Sequence, residues 1–190
     1  MNDEPSYFSV AYQLNLNVAP LPWESELPEY SDFINAIPES FRLASAGQNR
    51  LENIATPLQT LGEAGVALQH YLHAQAEKLN MLMSYVLSLQ DDPHKRTHTT
   101  HFGGSQLQFN WPEPLRLDQL VEIKLFIPEE ATAIYCYGRV KEIADRQQSF
   151  NIACEYALIR EEDQETLVRA SLHVQSKLLQ KRAKARHQQQ

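Results

Sequence analysis

Cysteine is scarce in this chain: there are two, Cys136 and Cys154, and no C-x-x-C spacing. That is too few for a disulfide framework and the wrong pattern for a zinc or redox site, so two reduced core thiols are expected. An excess of basic charge is also missing. With 17 Lys and Arg against 24 Asp and Glu, the net charge is −7, which argues against the basic surface that nucleic-acid binding needs. No apolar run approaches the roughly 18 residues of a membrane-spanning helix. The opening MNDEPSYFSV lacks the basic and apolar regions of a secretory signal, so a cytoplasmic location is expected. No nucleophile sits in a G-x-S-x-G or comparable context and no carboxylate pair stands out, so neither catalysis nor a cofactor is expected.

What is present is enough apolar material for a core, 43% of the residues, in one domain or one domain with a large insertion. The first element is a strand. Phe8, Val10, Tyr12, Leu14, Leu16 and Val18 alternate with Ser9, Gln13, Asn15 and Asn17, the period of a half-buried strand, until Pro20 and Pro22 end it. From 23 to 50 the pattern is mixed; Tyr30–Ile37 and Glu39–Ala46 fit short helices parted at Pro38.

A longer regularity follows. Leu51, Ile54, Leu58, Leu61, Gly65, Leu68, Leu72, Gln75, Leu79, Leu82, Val86 and Leu89 lie three and four apart, and only Gly65 and Gln75 are not aliphatic. A seam repeating every 3.5 residues over about five heptads is the coiled-coil pattern. Thr56, Pro57 and Gln59 suit a capped start, and Asp91, Asp92 and Pro93 a stop. A helix over 57–90 would be roughly 50 Å long, against roughly 25–30 Å for a small barrel. Its seam therefore needs a second copy, and a dimer or tetramer is expected through Leu58, Leu61, Leu68, Leu72, Leu79, Leu82, Val86 and Leu89. Met81, Met83, Tyr85 and Leu87 add apolar residues outside the seam, which implies two neighbours, a barrel and another helix.

Beyond it, His94 to His101 reads as a polar linker. Its three histidines, His94, His98 and His101, raise the question of zinc, but Lys95 and Arg96 stand between them and no Cys or carboxylate lies at ligand spacing, so a solvated linker is the reading. Gly103–Gly104–Ser105 fits a turn, with no Lys or helix after it to make a phosphate loop. Leu107 and Phe109 suggest a short strand, and WPEPLRLDQ a turn-rich connection. Val121, Ile123, Leu125 and Ile127 alternate up to Pro128. Ile134, Cys136, Gly138 and Val140 alternate with Tyr135 and Tyr137 facing the other way, and Phe150, Ile152, Cys154 and Tyr156 return as the second arm of a hairpin. Such strands predict an all-β barrel or sandwich. Glu161, Glu162 and Asp163 then open a helix with Leu167, Ser171, Val174 and Leu178 on one face, and the basic tail KRAKARHQQQ sits where the helix dipole favours cations.

The stretch 101–167 resembles a PilZ domain in Pro114–Leu115, Pro128, Gly138–Val140, and Ile159 through Glu161, Asp163 and Leu167; YFSVAYQLNLNVAPL is similar to the family's first strand. The resemblance implies an α+β fold: an antiparallel PilZ-like β-barrel carrying an inserted, long coiled-coil-like helix and a C-terminal helix. Residues 1–22 would form the first barrel strand, 23–93 a helical insertion for oligomerisation, 94–160 the rest of the barrel, and 161–190 the C-terminal helix and tail. The family's ligand is cyclic di-GMP, held by R-x-x-x-R at the first strand and D/N-x-S-x-x-G at the second. Here Pro5 and Ser9 stand at the arginine positions, and His101, Gly103 and Gln106 where Asp, Ser and Gly belong. Charge-assisted contacts contribute about 1.5–3 kcal/mol each, so tight nucleotide binding is not expected. The resemblance then implies a non-enzymatic signalling adaptor that works by oligomerisation and protein contact. The alternative is a cyclic di-GMP receptor using non-standard residues, with Lys95 and Arg96 as a residual anion site.

Overall fold

The computed structural model describes residues 9–47 and 62–187. Leu51, Ile54, Leu58 and Leu61, with the Thr56–Pro57 start, lie outside them.

The first alternating segment forms two strands, β1 (Ser9–Ala11) and β2 (Asn15–Pro20), that share one inward face: Val10, Leu14, Leu16 and Val18 are all buried. The strand breaks between them, and the orphaned backbone is satisfied from the next strand, β3 (Arg96–Gly103). There the Thr99 hydroxyl accepts from the Leu14 N–H at 2.9 Å and donates to the Tyr12 carbonyl at 2.8 Å. The expected linker over 94–101 is thus corrected: most of it is a barrel strand. Its inward residues are Thr99, occupied with backbone repair, and Phe102, displaced by a register shift between Thr99 and His101, so no apolar alternation marks it.

The remaining strands are β4 (Gln106–Trp111), β5 (Leu120–Ile127), β6 (Thr132–Asp145) and β7 (Phe150–Leu158). All pair antiparallel in the order β1-β3-β2-β5-β6-β7-β4, and a further β3–β4 pairing closes the circle. Counting β1 and β2 as halves of one strand, this is a closed six-stranded barrel. Closure removes the unpaired edges that would otherwise recruit other chains. The interior is filled by the residues the alternation singles out, among them Ile123, Leu125, Ile134, Cys136, Val140, Ile152 and Cys154. Gly138 lies where β6 crosses this core. A Cβ there would stand 2.8 Å from Ile123 Cδ1 and 3.2 Å from Cys154 Cβ, so the strands need its missing side chain.

Between β2 and β3 the chain leaves the barrel for α1 (Tyr30–Ala36), α2 (Glu39–Gly47) and α3 (Gly62–Ser88). Pro38 separates α1 from α2, as its fixed φ and missing N–H dictate. These helices cover the outer face of β5 and β6 with a second apolar cluster. Phe33, Ile37, Phe41, Ala44 and Leu87 pack on Phe126, Ala133 and Tyr135. The opposite-facing tyrosines of β6 thus have a function in the fold: Phe33 stacks on Tyr135 at 6.0 Å. The last element is α4 (Glu161–His187), which packs Leu167, Ala170, Val174 and Leu178 on the barrel.

Candidate functional site

Three places bear on function: the strand positions where the family motif would hold a nucleotide, the cationic pair Lys95–Arg96, and the surface of α3.

The motif positions come together in space. In the β1–β3 ladder Ser9 lies opposite Gly103 and Ala11 opposite His101, while Gln106 pairs with Glu155 across β4 and β7. Pro5 lies outside the described residues. The Gly103–Ser105 turn is held from above by α4: the Gln164 side-chain amide donates to the Gly104 carbonyl at 3.0 Å, and a Cβ on Gly104 would overlap the Val168 side chain. Glu161 and Glu165 line the cleft beside this turn, about 450 Å³ in volume. A phosphodiester there would meet carboxylates where two guanidiniums would be needed.

Lys95 and Arg96 stand at the start of β3, and they differ. Arg96 is paired with Asp91 at 2.8 Å. Asp91 also accepts from the side-chain amides of Asn15 at 2.6 Å and Asn17 at 2.8 Å. Desolvation pushes the Asp91 carboxyl up, but the bonds from Arg96, Asn17 and Asn15 outweigh it and hold its pKa below the usual value. Asn17 also accepts from the Asp92 N–H at 2.8 Å. This knot fastens the end of the insertion to β2. Lys95 is exposed and lines a small cleft of about 30 Å³ with Asp92, Glu122 and Lys124. Among the described residues no three His, Cys, Asp or Glu side chains gather as a metal site would require; His94 and His98 are exposed. Both thiols are buried and unpaired, and burial pushes Cys154 up to about 12 and Cys136 well above its usual value, so neither is a thiolate nucleophile.

A buried charge that the sequence reading passed over is Arg160. Its guanidinium bonds both carboxylate oxygens of Asp163, at 2.7 and 2.8 Å, and the Ser45 hydroxyl at 2.7 Å, and it contacts Glu162. It thereby joins α2 of the insertion to the first turn of α4. Burial pushes the Asp163 carboxyl up while Arg160 pulls it back. The sequence signal was an arginine three residues before an aspartate at a helix start, at the first variable position of the I-x-E-x-D motif.

The surface of α3 carries a long row of exposed apolar side chains. The helix has 27 described residues, about 40 Å at the standard rise. Its C-terminal part rests on the barrel, through Met83 and Leu87. Of the expected seam, Leu72 is half-buried, and Leu68, Leu79, Leu82, Val86 and Leu89 are exposed. Leu79 is 66% and Leu82 63% exposed, and Tyr71, Met81 and Tyr85 widen the same surface. The off-seam residues divide: Met83 and Leu87 go to the barrel, Met81 and Tyr85 to the outside. No helix among the described residues is long and apolar enough to cross a membrane.

No family model and no curated protein matches this chain. Solved structures do. One is a pathogenic protein from Xanthomonas campestris, a tetrameric PilZ domain self-assembled via a helical bundle. It superposes with a TM-score of 0.54 at 12% identity, covering 93% of this chain and 92% of that one. Another is the Bacillus subtilis inhibitor of motility MotI/DgrA, with a TM-score of 0.49 at 11% identity; 93% of this chain is covered but only 53% of that one, so this chain spans about half its length. The superposition with the first of these runs over nearly the whole of both chains, and the fold of this chain is that of a PilZ domain, with helices inserted between its first and second barrel strands.

Proposed function

We propose that this chain is a non-enzymatic, PilZ-type signalling adaptor of the cyclic di-GMP regulatory kind, working in the cytoplasm as a homo-oligomer without binding the nucleotide tightly itself. The observation that carries the reading is the row Leu68, Leu79, Leu82, Val86 and Leu89, exposed on a helix that reaches past the barrel. Contiguous apolar surface of this kind marks an interaction site, and heptad spacing selects another copy of the same helix as its cover. The Xanthomonas protein, whose chain matches this one over nearly its whole length, is a tetramer built through a helical bundle. The barrel then serves as the surface presented to a protein partner.

Two measurements test this. Light scattering on the purified chain should give a mass of two or four times 21.8 kDa at low-micromolar concentration; a monomer there removes the reading. Calorimetric titration with cyclic di-GMP should show no micromolar binding. Binding at that strength, lost in Lys95→Ala with Arg96→Ala, would instead establish a receptor using those two residues.

A further inference from the structure

The C-terminal helix is fixed to the barrel by one stripe, Leu167, Ala170, Val174 and Leu178. A second row, stepping by four and three, runs beside that stripe: Glu161, Glu165, Val168, Leu172, Gln175, Leu179 and Arg182. All of these except the half-buried Gln175 are exposed, Leu172 at 51% and Leu179 at 56%. The row is ordered acid, aliphatic, base. Neither Glu165 nor Arg182 takes part in any ion pair among the described residues.

We propose that this row is a second interface between copies of the chain, in which two α4 helices pack antiparallel about a two-fold axis. In the register that sets Leu172 against Gln175 of the second copy, Val168 meets Leu179 and Glu165 meets Arg182. Because the contact is isologous, each pair occurs twice. A parallel arrangement would oppose Glu165 to Glu165 and Arg182 to Arg182. The helix dipole explains acids first and bases last on any helix. It does not explain why three large aliphatics lie exposed on the same row, between those charges. The charge order and the apolar centre together fit one occupant, the same helix reversed. The α3 surface plays no part in this contact, so the two stand or fall separately. If both are used, two different two-fold contacts on one chain build a dimer of dimers.

The test uses the full chain carrying Leu79→Asp and Leu82→Asp, which removes the α3 contact, studied by sedimentation up to hundreds of micromolar. This parent is expected to dimerise weakly. Adding Glu165→Arg alone, or Arg182→Glu alone, turns two attractions into two repulsions and should weaken dimerisation by roughly tenfold or more. An equimolar mixture of these two variants restores both pairs, since one copy then brings two arginines and the other two glutamates, and should recover the dimer. The mixture is the decisive arm, because neither misfolding nor binding of the basic tail to an acidic partner predicts recovery on mixing. A parent that stays monomeric, single reversals that dimerise like the parent, or a mixture that remains monomeric would each overturn the proposal.

Discussion

Leu79→Asp together with Leu82→Asp should take the assembly apart while leaving each protomer folded. About two thirds of each leucine is still accessible in the single chain. Full burial of such a side chain is worth about 1.5–3 kcal/mol, so covering what remains contributes about 1–2 kcal/mol per leucine. A symmetric helix pair covers four of these leucines, a transfer contribution of roughly 4–8 kcal/mol, and every 1.4 kcal/mol is about a tenfold change in affinity. Losing it weakens association by about three orders of magnitude or more, before adding the cost of seating four carboxylates in an apolar seam. At low-micromolar protein the mass by light scattering should therefore fall to 21.8 kDa. The thermal midpoint of the diluted protomer should stay within a few degrees, because neither side chain packs inside it. Leu87→Asp is the contrast: Leu87 is 4% exposed in the helix–barrel cluster, and a charge there should unfold the insertion. An unchanged mass in the double variant, or its collapse together with the protomer fold, would refute the assignment of the two faces of α3.

The other predictions concern the joints between insertion and barrel. Arg160→Met strands the Asp163 carboxylate in a buried site and should cost about 3–5 kcal/mol in urea unfolding, while Arg160→Met with Asp163→Leu should recover much of the loss; equal losses in both would mean that the pair is not coupled. Asp91 has a depressed carboxyl pKa in the fold, so its contribution is present above the unfolded value of about 3.8 and is lost as pH falls through the lower folded value. The stability difference between the natural chain and Asp91→Asn should accordingly shrink as the solution is acidified from neutral pH to below that range, and a difference that widens would contradict the sign. Gly138→Ala overpacks the β5–β6–β7 crossing and should cost about 1–3 kcal/mol, read as a lowered unfolding midpoint.

The alternation of apolar residues disclosed the barrel wherever inward positions were aliphatic: β2, β5, β6 and β7 were all legible, as were the two short helices either side of Pro38. It failed on β3 for a physical reason. The inner wall there is Thr99, whose hydroxyl bridges the break between β1 and β2, and Phe102, which follows only after a register shift between Thr99 and His101, so the two inward residues are out of the period-2 pattern. A hydrogen bond to a break in a distant strand leaves no periodic trace. The apolar row on α3 was visible from its spacing, but spacing alone could not say which apolar face turns inward. Met83 and Leu87 take the barrel because they meet Phe126, Ala133 and Tyr135 on strands far along the chain. Arg160 was missed because a buried arginine reads like any surface arginine until Ser45 and Asp163 are seen beside it. The row on α4 was within reach of the sequence, since its three-and-four spacing is as regular as the seam on α3.

The insertion is fastened at both ends, and this turns an apolar helix into a directed one. At its start Phe33, Ile37 and Phe41 grip the outer face of β5 and β6, and the Ser45 hydroxyl accepts from Arg160. At its finish Asp91 gathers Asn15, Asn17 and Arg96 within 2.8 Å. A flexibly tethered helix could satisfy its seam by folding back on its own barrel. Fixed near its C-terminal end, where Met83 and Leu87 join the cluster on the barrel, α3 keeps Leu79, Leu82 and Leu89 exposed. The same economy governs Arg96. A cation that closes the insertion cannot also hold a phosphate without releasing Asp91, so nucleotide binding at this strand start would have to loosen the joint that orients α3. Association through the helix and anion binding at Arg96 are therefore expected to oppose one another.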